Sequence, residues 1–262
     1  SDLLGVRQGC VLSPILFSLF INDLAKEIEC SCSRGIQLYP ELVELFLLLF
    51  ADDVILISDS IFGLQQRIDI LKSYCDGYNL SVNLDKTKVV VFKNGGILSN
   101  REKWYFDGVR FEYVSSYKYL GVLFTRSLSW RKHVHNAALQ AKKVLCGIFI
   151  SLSKLKPLSF KLFFKIFDSQ VSPILLYGSE IWGLDEKICT DIEVIHMKAC
   201  KRFLGVKAST SNHVVRGECG RYPLYIFALK RVISYWCKVI SMSNDRYVKK
   251  CYNMQLHGIE SG

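Results

Sequence analysis

Two adjacent aspartates, Asp52 and Asp53, interrupt an otherwise apolar run between residues 45 and 57. Burying two like charges side by side costs several kcal/mol or forces protonation. A chain with this pattern is therefore expected to fold as strand, tight turn and strand, with the carboxylates exposed at the tip. The interruption also excludes a membrane span, since no apolar run approaches the roughly 20 residues a bilayer requires. At a cleft, a divalent cation neutralises such a pair. Mg²⁺ accepts one or two carboxylates and completes its shell with water and substrate phosphates. Two such ions can stabilise the attacking and leaving oxygens of phosphoryl transfer. Neighbouring strand residues face opposite sides, so Asp52 is expected to carry most of the ligation. Taken alone, the pair reads more readily as a solvated acidic hairpin turn than as a metal site.

The flanking sequence alternates helix and strand. Ser13 followed by Pro14 is an N-cap with proline at the first helical position, and Ile15, Leu16, Leu19, Phe20, Leu24 and Ile28 recur at helical spacing. Strands are expected over residues 45–51 and 54–57, and a helix over 63–78 with Leu64, Ile68, Leu71 and Cys75 on one face. Further strands are expected over 88–92, 104–114 and 117–124, with a polar loop from Gly95-Gly96 to about residue 103. Beyond residue 128 the pattern is almost wholly helical: 129–152, 159–171, 173–182, 186–204, 212–217 and 223–242. The last twenty residues are ambiguous.

Charge changes at the same place. Residues 1–128 carry 13 Lys+Arg against 15 Asp+Glu, a net of −2, whereas residues 129–262 carry 21 against 9, a net of +12. A polyanion partner suits the second half, because phosphate neutralisation releases counterions; a soluble basic domain is the alternative. The ten cysteines show no zinc spacing, Cys30 and Cys32 forming the one close pair. They read as free thiols, which favours a cytoplasmic or nuclear compartment. The five histidines show no metal pattern, and Tyr222, Tyr225, Phe227, Tyr235 and Trp236 read as core or interface rather than base-stacking platforms.

The acidic pair has neighbours that make it specific. Gly5-Val6-Arg7-Gln8-Gly9-Cys10-Val11-Leu12-Ser13-Pro14 precedes Phe50-Ala51-Asp52-Asp53. Next come Asn79-Leu80-Ser81-Val82-Asn83 with Lys86-Thr87-Lys88, then Tyr117-Lys118-Tyr119-Leu120-Gly121-Val122. In this order the four segments resemble the palm motifs and primer-grip hairpin of reverse transcriptases. Pro173-Ile174-Leu175-Leu176-Tyr177-Gly178 with Trp182, and Lys201-Arg202-Phe203-Leu204-Gly205-Val206, resemble the region after the polymerase core in LINE-type (non-LTR) retrotransposons. The implied fold is α+β: a partial palm, an antiparallel sheet with helices, over 1–126, followed by an all-α thumb and C-terminal helical region over 127–262.

The resemblance implies an RNA-directed DNA polymerase acting on an RNA template, a DNA primer and deoxynucleoside triphosphates, with Mg²⁺ (or Mn²⁺) as cofactor and no membrane partner. It makes Asp52 and Asp53 the catalytic metal ligands. Lys86 becomes a charge stabiliser or proton donor beside the leaving pyrophosphate. Gly5, Arg7, Gln8 and Gly9 would lie against nucleotide or template, and Asn83 would brace its loop. Tyr119, Leu120 and Gly121 would form the primer-grip turn. Arg131, Lys132, Lys142 and Lys143 would follow the duplex backbone.

The family also takes a carboxylate from a palm strand well before the Gly5 segment, where these 262 residues offer only Asp2. By the same resemblance, the fingers and an upstream endonuclease are expected to fall outside these residues. The isolated chain is therefore expected to incorporate nucleotides poorly, since misplacing reacting groups by about 1 Å can cost 100-fold. Two alternatives remain at this level: a non-catalytic nucleic-acid-binding remnant, and an RNA-directed RNA polymerase, against which the LINE-like C-terminal half argues.

Overall fold

A computed structural model of the chain describes residues 10–30, 36–39, 43–93, 95–96, 102–153 and 159–260. Two compact units emerge, one from residues 1–89, 96–114 and 243–262, the other from 90–95 and 115–242.

The first unit opens with helix α1 (Ser13–Cys30). A hairpin of β1 (Ile36–Tyr39) and β2 (Val43–Leu45) follows. A second hairpin, β3 (Leu47–Phe50) with β4 (Asp53–Leu56), carries the acidic pair. The apolar run 45–51 is thus not one strand: Leu45 pairs with β1, Phe46 intervenes, and Leu47 begins the next ladder. Helix α2 (Ile61–Gly77) is capped by Ser60, whose Oγ accepts from Gly63 N at 3.1 Å. Between α1, α2 and the β3–β4 hairpin lies a small core of Ile21, Leu24, Ile28 and Tyr74, against which Leu47, Leu49, Val54 and Leu56 pack. Tyr74 Oη donates to Phe20 O at 2.9 Å, so α2 is tied to α1 by a bond as well as by packing.

The region 104–114, expected as one strand, is a hairpin and a further short strand. Strand β5 (Lys88–Val89) precedes it, β6 (Tyr105–Phe106) turns at Asp107-Gly108 into β7 (Val109–Arg110), and β8 (Glu112–Tyr113) pairs in parallel with β5. Asp107 and Gly108 both have positive φ, 51° and 75°, as a two-residue hairpin turn matching strand twist requires. Gln65 of α2 serves Tyr105 as a substitute strand neighbour: its Oε1 accepts from Tyr105 N at 2.9 Å and its Nε2 donates to Tyr105 O at 2.8 Å.

The second unit begins with the hairpin β9 (Ser116–Tyr119) and β10 (Val122–Thr125). Helices follow: α3 (Arg131–Leu152), α4 (Phe160–Gln170), α5 (Ser172–Leu175), α6 (Ser179–Trp182), α7 (Thr190–Leu204), α8 (Asn212–Cys219) and α9 (Leu224–Ile240). Its core is the larger one, with Val134, Ala138, Ala141 and Leu145 of α3 facing Phe163, Phe164 and Phe167 of α4, Trp182 of α6, and Ile192, Ile195 and Ala199 of α7. The expected helix over 173–182 is broken in two by Gly178 at φ 69°. The final helix, α10 (Tyr247–Glu260), returns to the first unit and lies against β1.

The fold class is therefore mixed α and β. Its β-structure differs from the expected palm sheet: among the described residues the strands form five separate two-stranded pairs, four antiparallel and one parallel. Among the same residues no helix is long and apolar enough to cross a membrane.

Candidate active site

The carboxylates sit where the cost of burial sends them. Phe50 pairs with Asp53, leaving Ala51 and Asp52 as a two-residue turn, and all four residues are exposed. Leu47 and Leu49 of β3 face the core, while Leu48 and Phe50 face out, with Phe50 59% exposed. Residues directly opposite in an antiparallel pair share a face, so Asp53 projects on the open side with Phe50. Asp52 is a turn residue, and strict strand alternation does not govern its direction. Ala51 holds φ at 51°, a left-handed conformation that an L-residue adopts at a cost of roughly 1 kcal/mol.

The base of this hairpin is held from both sides. Ile57 N donates to Phe46 O at 2.8 Å. From α2, the wholly buried Arg67 donates through Nη1 to Ile57 O, and its guanidinium lies 5.4 Å from the centre of the Phe46 ring. Nothing in the local sequence pattern marks Arg67, which reads as one more charge on an amphipathic helix.

Asn83 braces its loop. Its Oδ1 accepts from Lys86 N at 3.1 Å, and its carbonyl accepts from Thr87 N at 3.0 Å and Thr87 Oγ1 at 2.8 Å. The Lys86 side chain is exposed, and Lys88 forms an ion pair with Glu112 at 2.5 Å. Gly5, Arg7, Gln8 and Gly9 lie outside the described residues.

In the second unit, Tyr119 pairs with Val122 and the turn is Leu120-Gly121, with φ of 44° and 82°. Tyr177 Oη donates to Leu120 O at 2.7 Å, and a Cβ on Gly121 would fall 2.7 Å from Tyr177 Cε1. Behind the hairpin, Leu123 N donates to His133 Nδ1 at 3.2 Å. With Nδ1 accepting, the proton sits on Nε2, which faces Tyr177 O at 3.3 Å; Trp182 Nε1 donates to the same carbonyl at 3.1 Å. Burial pushes His133 below its ordinary pKa, the Tyr177 carbonyl opposing and Lys118 assisting. Gly178 completes the joint, since a Cβ there would meet Val122 Cγ2 at 3.1 Å. The segment from Pro173 to Trp182 thus shapes the back of the hairpin. Metal-ligand spacing among the histidines carries no sign of this role; Gly178 after Tyr177 is the visible mark of it in the sequence.

Arg131, Lys132, Lys142 and Lys143 all lie on the exposed side of α3. The first two border a cleft of about 340 Å³ together with Lys187 and the His135–Asp191 pair, joined at 2.9 Å. Lys132 Nζ also reaches Ser116 Oγ of β9 at 3.3 Å. Of the aromatic residues read as core or interface, Tyr225 packs on the core. Tyr222, Phe227, Tyr235 and Trp236 are 68, 40, 39 and 50% exposed. Among the described residues no group of three or more His, Cys, Asp or Glu side chains converges as a metal cage. Two adjacent exposed carboxylates, one in the turn and one opening β4, nevertheless suit an ion that draws most of its shell from water and phosphate.

The family profile described as reverse transcriptase (RNA-dependent DNA polymerase) matches residues 2–124. The RNA-directed DNA polymerase from mobile element jockey of Drosophila melanogaster is 24% identical over 213 residues, covering 77% of this chain and 22% of the relative. The probable RNA-directed DNA polymerase from transposon X-element of the same organism is 28% identical over 188 residues, 69% of this chain and 19% of the relative. The Pol polyprotein of the type-1 retrotransposable element R2 of Popillia japonica is 25% identical over 214 residues, 79% and 29% of the two chains. The chain thus spans about a fifth of the length of the jockey relative. These matches are too long to end at residue 124 and run into the helical unit. Residues 2–124 thus resemble reverse transcriptases, and the relatives named here are RNA-directed DNA polymerases and a Pol polyprotein of mobile elements.

Proposed function

We propose that this chain supplies palm and thumb parts of an RNA-directed DNA polymerase, and that Asp52 and Asp53 bind the divalent cations of nucleotidyl transfer. The observation that carries the reading is the exposed end of the β3–β4 hairpin, where Asp52 lies in the turn and Asp53 opens β4, with a buried arginine bonded at its base. Bound Mg²⁺ would neutralise the nucleotide phosphates and lower the cost of charge on the attacking and leaving oxygens. The chain's own share is positional. Asp52 and Asp53 present four acceptor oxygens at a solvent-open tip, Asn83 holds the loop that carries Lys86, and Lys86 offers a cation to the departing pyrophosphate.

In the same reading Tyr119, Leu120 and Gly121 contact the primer end through backbone and shape. Arg131, Lys132, Lys142 and Lys143 meet the phosphates of a template–primer duplex. Gly5, Arg7, Gln8 and Gly9 belong to the nucleotide and template side. Residues 1–126 act as palm with primer grip, and 127–262 as thumb and helical extension.

The test is Mn²⁺ binding by electron paramagnetic resonance, run on the 262-residue chain and on an Asp52→Asn/Asp53→Asn double variant. Tight binding by the first and its loss in the second are expected. Equal binding by both chains sinks the metal assignment. Template–primer binding is expected to survive the double substitution, because the thumb cations carry it; a loss of at least tenfold would count against the division of labour.

A further inference from the structure

We propose a second nucleic-acid site: a groove along α9 that takes a single-stranded polynucleotide. It goes beyond the reading above, since none of the palm, primer-grip or α3 residues line it. The groove has a volume of about 610 Å³ and lies between α9 and the segment from α4 to α6.

Its floor and rim alternate in a particular way. Phe227, Lys230, Arg231, Ser234, Tyr235 and Lys238 all line it, at i, i+3, i+4, i+7, i+8 and i+11, the spacing of one helical face. Phe227 and Tyr235 are 40 and 39% exposed. They stand eight residues apart, about 12 Å along the axis; Lys230 and Lys238 are separated by the same interval. Two flat rings and two cations offset by three residues match a strand whose bases stack while its phosphates run alongside.

The remaining charge supports an anionic occupant. Arg221 engages Asp168 through both terminal nitrogens, at 2.8 Å from Nη1 to Oδ2, and stacks 4.7 Å from the centre of the Phe164 ring, which removes that acid as a repelling charge. Arg231 is fixed by donation from Nη1 to Leu176 O at 2.6 Å. Four cationic side chains then line the groove with Glu180 as its other acid. Duplex is a poorer fit, because its bases are stacked on one another and offer no free ring faces to Phe227 and Tyr235.

The experiment is fluorescence anisotropy with the full chain and labelled 15-nucleotide oligo-dT, oligo-U and a duplex of the same length. The expected result is roughly tenfold weaker binding of the single strands by Lys230→Glu/Lys238→Glu. Its salt slope should fall by about 1.4, at about 0.7 for each phosphate no longer neutralised. Phe227→Ala/Tyr235→Ala should weaken single-strand binding by about tenfold with its salt slope intact, and should leave duplex affinity within twofold. Lys230→Arg/Lys238→Arg should retain wild-type affinity, and so should Asp52→Asn/Asp53→Asn, which separates this site from the metal hairpin. Single-strand affinity within twofold of wild type in either of the first two variants overturns the proposal. So does an equal loss for strand and duplex in the aromatic variant, or loss of single-strand binding in the Asp52/Asp53 variant. Circular dichroism confirms that each variant is folded.

Discussion

Tyr177 Oη donates a 2.7 Å hydrogen bond to the carbonyl of Leu120, across 57 residues of sequence, and the same ring closes the space above Gly121. The turn at the tip of β9–β10 is therefore shaped from outside as well as by its own φ angles. Gly121→Ala should cost more than Tyr177→Phe. The alanine is penalised twice, by a φ of 82° and by a contact of 2.7 Å with the ring, whereas the phenylalanine forfeits one half-exposed hydrogen bond, roughly 0.5–1.5 kcal/mol. Adding Tyr177→Ala to Gly121→Ala should recover the steric part and leave the backbone part, so the two changes should be non-additive. Urea melts of the four chains measure this; additivity within about 0.3 kcal/mol would show that the ring does not press on the turn.

Arg67 is the corresponding residue for the acidic hairpin. Its guanidinium is wholly buried, bonded to Ile57 O and set over Phe46. Arg67→Met keeps much of the side chain's bulk and removes the charged donor. It should destabilise the chain by about 1.5–3 kcal/mol, the range for a hydrogen bond to a charged group. If Mn²⁺ binding at Asp52 and Asp53 depends on a fixed hairpin base, affinity should fall in a variant that remains folded. Unchanged stability and unchanged affinity together would deny Arg67 any part in holding the hairpin.

The acidic hairpin is legible in the sequence because two apolar runs around adjacent carboxylates leave few alternatives, and α1 because Ser13-Pro14 opens a regular apolar repeat. What escapes depends on distant partners or on very short strands. Residues 104–114 look like one β-rich segment, yet Asp107-Gly108 is a hairpin signal in its own right, and the strands on either side are only two residues long. The break at Gly178 follows from Val122 approaching from a strand more than fifty residues earlier, which no helical periodicity reports. His133 and Arg67 are both buried side chains on helices. Their use as hydrogen-bond partners for Leu123 N and Ile57 O exists only once the chain has folded. The exposed rings of α9 read as core or interface from sequence, because composition does not distinguish the two sides of a strongly apolar helix.

The N-terminal part of α1 presents an apolar face to solvent: Ile15, Leu16 and Leu19 are 58, 51 and 68% exposed, and Val11 just before the helix is 88% exposed. Contiguous exposed apolar surface of this kind favours association. The purified chain should show a mass in sedimentation velocity that rises with concentration, and Leu16→Gln/Leu19→Gln should reduce that rise with little change in helix content. A monomeric wild-type chain across the accessible range would show that this face does not self-associate.

Two groups of the helical unit should give stability a pH dependence in separate windows. Burial depresses His133 below its ordinary value of 6.5, so the folded state prefers the neutral ring that accepts from Leu123 N and faces Tyr177 O. The unfolded chain takes up a proton first as pH falls. Stability is therefore fully present above about 6.5 and declines as pH drops from there toward the folded value. Glu193 acts lower. Its burial alone would raise the carboxyl, but bonds from His196, Arg216 and Leu224 N outweigh it and hold the group below its ordinary 4.5. Its contribution is present above 4.5 and is lost as pH falls through the folded value. Urea midpoints from pH 7.5 to 3.5 should show both declines. His133→Gln should remove the upper one and Glu193→Gln the lower, each leaving the other in place. An upper decline that persists in His133→Gln would assign it to another group and remove the neutral ring from the hairpin joint.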